Sequence, residues 1–239
     1  MNAIEDNSFT QGWRKFADKL PPLKGILVIS AHWETEGTFI TASKKPETIH
    51  DFYGFPKELY DVPYPAIGSP ELALKIRSIV SSVNVGFDHD RGLDHGTWSV
   101  LMKMFPKPIV PILQLSLDIN MSFEQHLTLG KQLRPLREKG ILIIGSGNIV
   151  HNLRLMRPGQ PFPFALEFDK YVKDNLLFRD EKALIDLPAR LAEKAMPTSE
   201  HYLPLLYAFG ASDGEKPEFF NEEFFMCSLS MACVSFQKP

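Results

Sequence analysis

The sequence predicts a single α/β domain over residues 1–239: a mostly parallel central sheet flanked by helices, with strands at the C-terminal end. Two observations predict it. Apolar runs of strand length recur at residues 23–31, 109–117 and 141–147, and they are near-continuous rather than alternating. Segments of helical period separate them. Strands apolar on both faces belong in a parallel sheet covered on both sides. Such sheets bind ligands outside the carboxyl ends of their strands.

Each element has its own signal. Residues 11–20 read as a helix feeding the strand LKGILVISA at 23–31, and residues 38–43 as a short strand. The stretch 50–70 is rich in Pro, Gly, Tyr and Phe, which predicts a long ordered loop; loops of that length in compact domains are commonly functional. Ser69 and Pro70 open a helix over 69–80. A strand near 83–88, a helix from about Thr97, the strand 109–117, a polar helix near 122–138 and the strand 141–147 follow. Residues 163–179 and 181–195 read as helices, and TSEHYLPLLYAFGA at 198–211 as a capped helix closed by glycine. Two strands, near 217–226 and 228–236, end the chain.

Composition narrows the function. With 239 residues, 44% of them hydrophobic, the chain can bury one sizeable core. A formal charge of −3 gives no global attraction to nucleic acid or to an anionic membrane, and the apolar runs are too short to span a bilayer. The opening MNAIEDNSFTQGW is acidic and polar, unlike a secretory signal. Two cysteines, Cys227 and Cys233, in so long a chain fit a reducing compartment, so a cytoplasmic location is expected. The chain lacks metal-spaced cysteines, a GxGxxG, a P-loop lysine and a GxSxG elbow.

Chemistry therefore falls to the seven histidines. His32 follows the strand ILVISA at the ligand-binding edge, either as a metal ligand or as a cap on the sheet end. His151 follows the strand ILIIGSG across two glycines that let the backbone approach a ligand, as a base, a ligand or a first-turn residue. His95 stands at a loop-to-helix junction, where Asp94 suffices as a helix cap or His95 donates to an oxyanion. His201 lies early in a helix beside Glu200; neighbours on a helix point about 100° apart, so one of the two faces a metal and the other does not. His50 and Tyr53 sit in an aromatic loop fit to wall a planar substrate, or merely to pack. His89 and His126 read as solvated. Jointly, histidines from separate strands and glycine-bearing turns converge on one sheet edge, and such nitrogen and oxygen ligands suit iron(II) or zinc.

The segments SAHW at 30–33, TIHDFYGFP at 48–56, YDVPYPAIGSP at 60–70, GLDHGTW at 92–98, GSGNIVHNLR at 145–154 and SEHYLPLLYAFGA at 199–211 resemble the DOPA 4,5-dioxygenase branch of the class III extradiol ring-cleavage dioxygenases. The resemblance runs in order along essentially the whole chain. It implies a non-haem metal held by His32 and His201, with iron(II) for catalysis and zinc in purified protein. It also implies His151 as general base near an ordinary histidine pKa and as an extra ligand in a zinc form. His95 becomes a donor beyond the metal, and the loop of His50 and Tyr53 part of the pocket wall. The implied partners are a small catechol and dioxygen, the product a ring-opened semialdehyde, and the assembly a monomer or homodimer. One departure matters: family members begin with a strand leading into a His-Gly-Ser-Pro turn whose histidine is a ligand, and Met1 to Asn7 resemble the stretch just after it. A start codon assigned too late, or a true truncation, accounts for that. Two rival functions remain open at this stage, a non-catalytic binding protein on the same fold and a zinc-dependent hydrolase.

Overall fold

A computed structural model describes residues 2–237 and bears out the predicted class. In chain order the elements are α1 (Ser8–Ala17), β1 (Gly25–Thr35), β2 (Thr38–Thr41), α2 (Lys57–Tyr60), α3 (Pro70–Ile79), β3 (Val85–Asp88), α4 (His95–Met104), β4 (Ile112–Asp118), α5 (Phe123–Leu133), α6 (Pro135–Glu138) and β5 (Ile141–Ser146). Then come α7 (Pro163–Phe178), α8 (Glu181–Ile185), α9 (Ala189–Ala195), α10 (Leu203–Ala211), β6 (Glu218–Phe220), β7 (Phe224–Phe225), β8 (Leu229–Ser230) and β9 (Cys233–Ser235). No helix among the described residues is long and apolar enough to cross a membrane.

Five strands form one sheet in the order β3-β2-β4-β1-β5. The pairs β1–β4, β1–β5 and β2–β3 are parallel, and only β2–β4 is antiparallel. The central strand β1 is buried from Gly25 through Ala31, which is why its sequence reads as one apolar run. One core, on the side of α5, α7 and α10, centres on Leu27, Ile29, Leu113, Leu115, Phe168 and Leu206. A second, on the side of α4, is formed by Ile26, Val28, Trp98, Leu101 and Ile112. At the edge of the sheet β5 pairs with β1 alone, and it lines a cavity of about 820 Å³ whose walls include His32 and His201.

Several sequence expectations need adjustment. Pro188 interrupts the helix expected at 181–195, splitting it into α8 and α9, because proline lacks an N–H donor and clashes with the turn before it. The polar helix near 122–138 divides at Pro135 into α5 and α6. The two expected terminal strands are four short ones in two antiparallel pairs, β6–β9 and β7–β8, broken by left-handed residues at Asn221, Met226 and Cys227. His126 is not solvated. It is fully buried between α5 and α10, its Nδ1 2.8 Å from the Tyr207 hydroxyl.

Candidate active site

The carboxyl ends of β1 and β5 meet the N-terminus of α4, and hydrogen bonds bolt the three together. Asp94, fully buried, caps α4 by accepting from the Thr97 N–H at 3.0 Å. The same carboxylate accepts from the Ser30 hydroxyl of β1 at 2.8 Å and from the Gln114 amide of β4 at 2.6 Å. Ser146 of β5 donates to the Gly96 carbonyl at 2.6 Å. The capping account of Asp94 is thus correct, and it sets the place of His95 as the first residue of the helix.

His32 lies within β1 rather than after it, where the pairing with β4 slips between Ile29 and Glu34. Such an irregularity re-aims side chains at a sheet edge. Arg91 donates to the His32 carbonyl at 3.2 Å, and its guanidinium lies 5.5 Å from the centre of the Trp33 ring. A Cβ on Gly96 would sit 2.7 Å from the His32 ring, so only glycine lets α4 come this close.

His201 stands in the turn ahead of α10, not in a helix. The expectation that Glu200 and His201 must diverge therefore fails: outside a helix the 100° rule does not hold, and one donor atom each from His151, Glu200 and His201 lie within 4.8 Å of one another. The turn is seated against the end of β5. The Asn148 N–H donates to the His201 carbonyl at 2.9 Å, and a Cβ on Gly147 would collide with that carbonyl. His151 is anchored by its N–H to the Ala195 carbonyl at 2.8 Å and by a bridge to Leu229.

Four imidazoles come together in a row. His95 and His32 have ring centres 3.9 Å apart, His32 and His201 5.1 Å, and His201 and His151 3.4 Å. Burial, the largest influence, lowers the pKa of His201 to about 2, reinforced by His151, His32 and His95. Burial likewise holds His151 at about 4, against the pull of Glu200, and lowers His32. The ordinary pKa expected for His151 is thus corrected downward. All three rings are neutral at pH 7 and keep a lone pair.

Asn148 decides which lone pair His201 offers. Its Nδ2 donates to the Ser230 carbonyl at 2.7 Å, which turns Oδ1 toward His201 Nδ1 at 3.0 Å. That contact requires a proton on Nδ1 and leaves Nε2 bare, the arrangement by which an outer partner orients a metal-binding histidine. Neutral imidazoles with bare nitrogens, one so oriented and a carboxylate beside them, fit a divalent cation of borderline softness.

On the far side of the row, His95 donates to Asp51 Oδ1 from Nδ1 at 2.9 Å and from its backbone N–H at 2.9 Å. Burial works to raise the Asp51 carboxyl, but these bonds outweigh it and hold it at about 2. His50 packs its ring against Phe52 and Trp98 and donates from Nε2 to the Val62 carbonyl at 3.0 Å. Tyr53 is 92% exposed. The loop residue that meets the histidines is Phe52, edge-on to His95 at 5.5 Å. A cavity of about 160 Å³ beside His95 is walled by Phe52, Phe55, Leu59 and Trp98. Sequence reading passed over Asp51, Phe52 and Asn148, although all three stand in the motifs that carried the resemblance.

Comparison with known proteins gives the family of the chain. The family model described as the catalytic LigB subunit of aromatic ring-opening dioxygenase matches residues 3–236. A 4,5-DOPA dioxygenase extradiol of Escherichia coli (strain K12) is 44% identical over 98% of this chain and 90% of its own length. The protein of the same name from Beta vulgaris is 39% identical over 89% of this chain and 83% of its own length. The crystal structure of an uncharacterized protein from Escherichia coli K12 superposes with a TM-score of 0.85 at 40% identity, covering 97% of this chain and 93% of that one. The histidine row at the sheet edge therefore stands in a chain that belongs to the family of the catalytic LigB subunit of aromatic ring-opening dioxygenases.

Proposed function

We propose that this protein is a non-haem iron(II) extradiol dioxygenase that opens the ring of a DOPA-like catechol with dioxygen to a semialdehyde. The observation that carries the reading is the row of four imidazoles from four separate segments at the carboxyl edge of the sheet, three of which, His32, His151 and His201, burial keeps neutral. His32 and His201 would hold the metal, with His151 able to join them when zinc is bound. A metal bound there supplies open positions at which substrate oxygens and dioxygen come together.

The chain's own groups do the rest. The bare nitrogen of neutral His151 accepts the catechol proton that ring opening requires. His95, its ring fixed by Asp51 through Nδ1, turns Nε2 toward the reacting oxygens, where a proton on Nε2 stabilises negative charge that develops there. The cavity of about 160 Å³ beside His95 has room for the aromatic ring against Phe52, a cavity of about 150 Å³ being enough for benzene. The relatives named 4,5-DOPA dioxygenase extradiol support the choice of substrate class.

Oxygen uptake by protein loaded anaerobically with iron(II) and then mixed with aerated buffer and a panel of catechols tests the proposal. The expected result is stoichiometric oxygen consumption and a yellow semialdehyde chromophore with a DOPA-like catechol. No product from any catechol at full iron occupancy would favour a binding role instead. Activity with zinc but not iron, on a hydrolysable substrate, would favour a hydrolase.

A further inference from the structure

Asp51 reaches the site from the loop after Thr48, whereas His95 begins α4, so nothing local in sequence brings them together. A single oxygen, Oδ1, accepts both the ring Nδ1–H and the backbone N–H of His95, each at 2.9 Å. Two bonds to one residue fix both the position of its backbone and the rotation of its ring. His32, Asp51 and His95 together resemble a cation site. The hydrogen bond between Asp51 Oδ1 and His95 Nδ1 ties up one ligand-capable atom of each residue, which argues for an oriented pair instead.

We propose that Asp51 is the positioning residue of His95, holding a proton on its Nδ1 and turning the ring so that Nε2 serves the reacting oxygens. The role is that of a carboxylate that orients a histidine, not that of a ligand or a base. The inference rests on the reading of the site as a ring-opening one, and adds to it the residue that aims one of its imidazoles. Misplacing an oriented group by an ångström costs about 100-fold in rate.

Two measurements test it. In steady-state kinetics of the iron-loaded enzyme, Asp51→Ala is expected to lower kcat about 100-fold while KM and metal content change less than about threefold. Asp51→Asn, whose amide oxygen can accept the same two bonds, is expected to recover most of the rate. In a His95→Ala background, Asp51→Ala is expected to cost less than about threefold, because residues acting as a unit are not additive. Equal rates for Asp51→Asn and Asp51→Ala, or an equal loss from Asp51→Ala in both backgrounds, would overturn the proposal. Separately, nitrogen-15 NMR of histidine-labelled protein, with His95 assigned by its loss in His95→Gln, should show a proton on Nδ1 that Asp51→Ala displaces. A wild-type ring with bare Nδ1 overturns the proposal whether or not any catechol is cleaved. If no catechol is cleaved yet Nδ1 is protonated as described, the ring-opening reading falls while the orienting pair stands.

Discussion

His151 and His201 stack face to face, their ring centres 3.4 Å apart and their planes 9° from parallel. Two charged imidazoles could not share that arrangement, and burial keeps both neutral. In the proposed site, the pair sets the proton acceptor directly against a metal-holding ring.

That pairing separates the roles of the two residues. His32→Ala and His201→Ala are expected to lose most bound metal, measured by elemental analysis after dialysis. His151→Ala is expected to keep a larger share of the metal while turnover falls about 100-fold or more, the loss typical of a missing general base. Equal metal loss in all three variants would make His151 a ligand first.

Asn148 holds His201 Nδ1 while its own amide is tied to Ser230. Asn148→Ala is expected to weaken zinc or iron binding about 10- to 100-fold, read by competition with a chromophoric chelator, in line with the loss of outer partners at other metal sites. Unchanged affinity would mean that the turn alone orients His201.

Gly147 leaves no room for a side chain, because a Cβ there would collide with the His201 carbonyl. Gly147→Ala is expected to cost about 2 kcal/mol by overpacking. For a chain of this size that corresponds to a fall in Tm of roughly 4–8 °C. Because the clash falls on the backbone of His201, a proposed metal ligand, metal affinity should drop in the same variant.

His126 predicts a pH dependence away from the site. Burial lowers its pKa to about 4, outweighing the nearby Asp118, and its ring meets the Tyr207 hydroxyl. Its folded pKa is therefore below its unfolded value of about 6.5, so the unfolded chain binds the extra proton first. The stabilising effect is complete above pH 6.5 and is lost as the pH falls toward 4, amounting to on the order of 3 kcal/mol. Urea titrations of metal-free protein between pH 4 and 7 should show a shallower slope in His126→Gln than in wild type. Identical slopes would show that His126 does not titrate with unfolding.

Much of this could be read in the chain because the signals are local. The apolar runs that became β1, β4 and β5 had no other use than a sheet covered on both faces. Ser69 and Pro70 announced α3, and the glycines at the end of β5, Gly145 and Gly147, marked a close backbone approach. His32 and His151 stand out because each follows a strand, His95 because it stands at a loop-to-helix junction, and His201 because it lies early in an expected helix beside Glu200. Asp51 and Asn148 were missed for the opposite reason. Their partners lie 44 and 53 residues away, and nothing in their own neighbourhoods says which ring they hold. His126 was misread because the polar residues around it suggested an exposed helix face, while its burial comes from α10, far along the chain.

Sequence alone determined the fold class, the sheet edge that carries the site and the four histidines on it, since strand length, hydrophobic period and turn residues act over a few neighbours. Only the tertiary structure decided that His201 sits in a turn beside a usable Glu200, that Phe52 rather than Tyr53 faces the rings, which nitrogen of His201 is left bare and which nitrogen of His95 meets Asp51. Those outcomes depend on hydrogen bonds and burial between distant segments, and such interactions exist only once the chain has closed on itself.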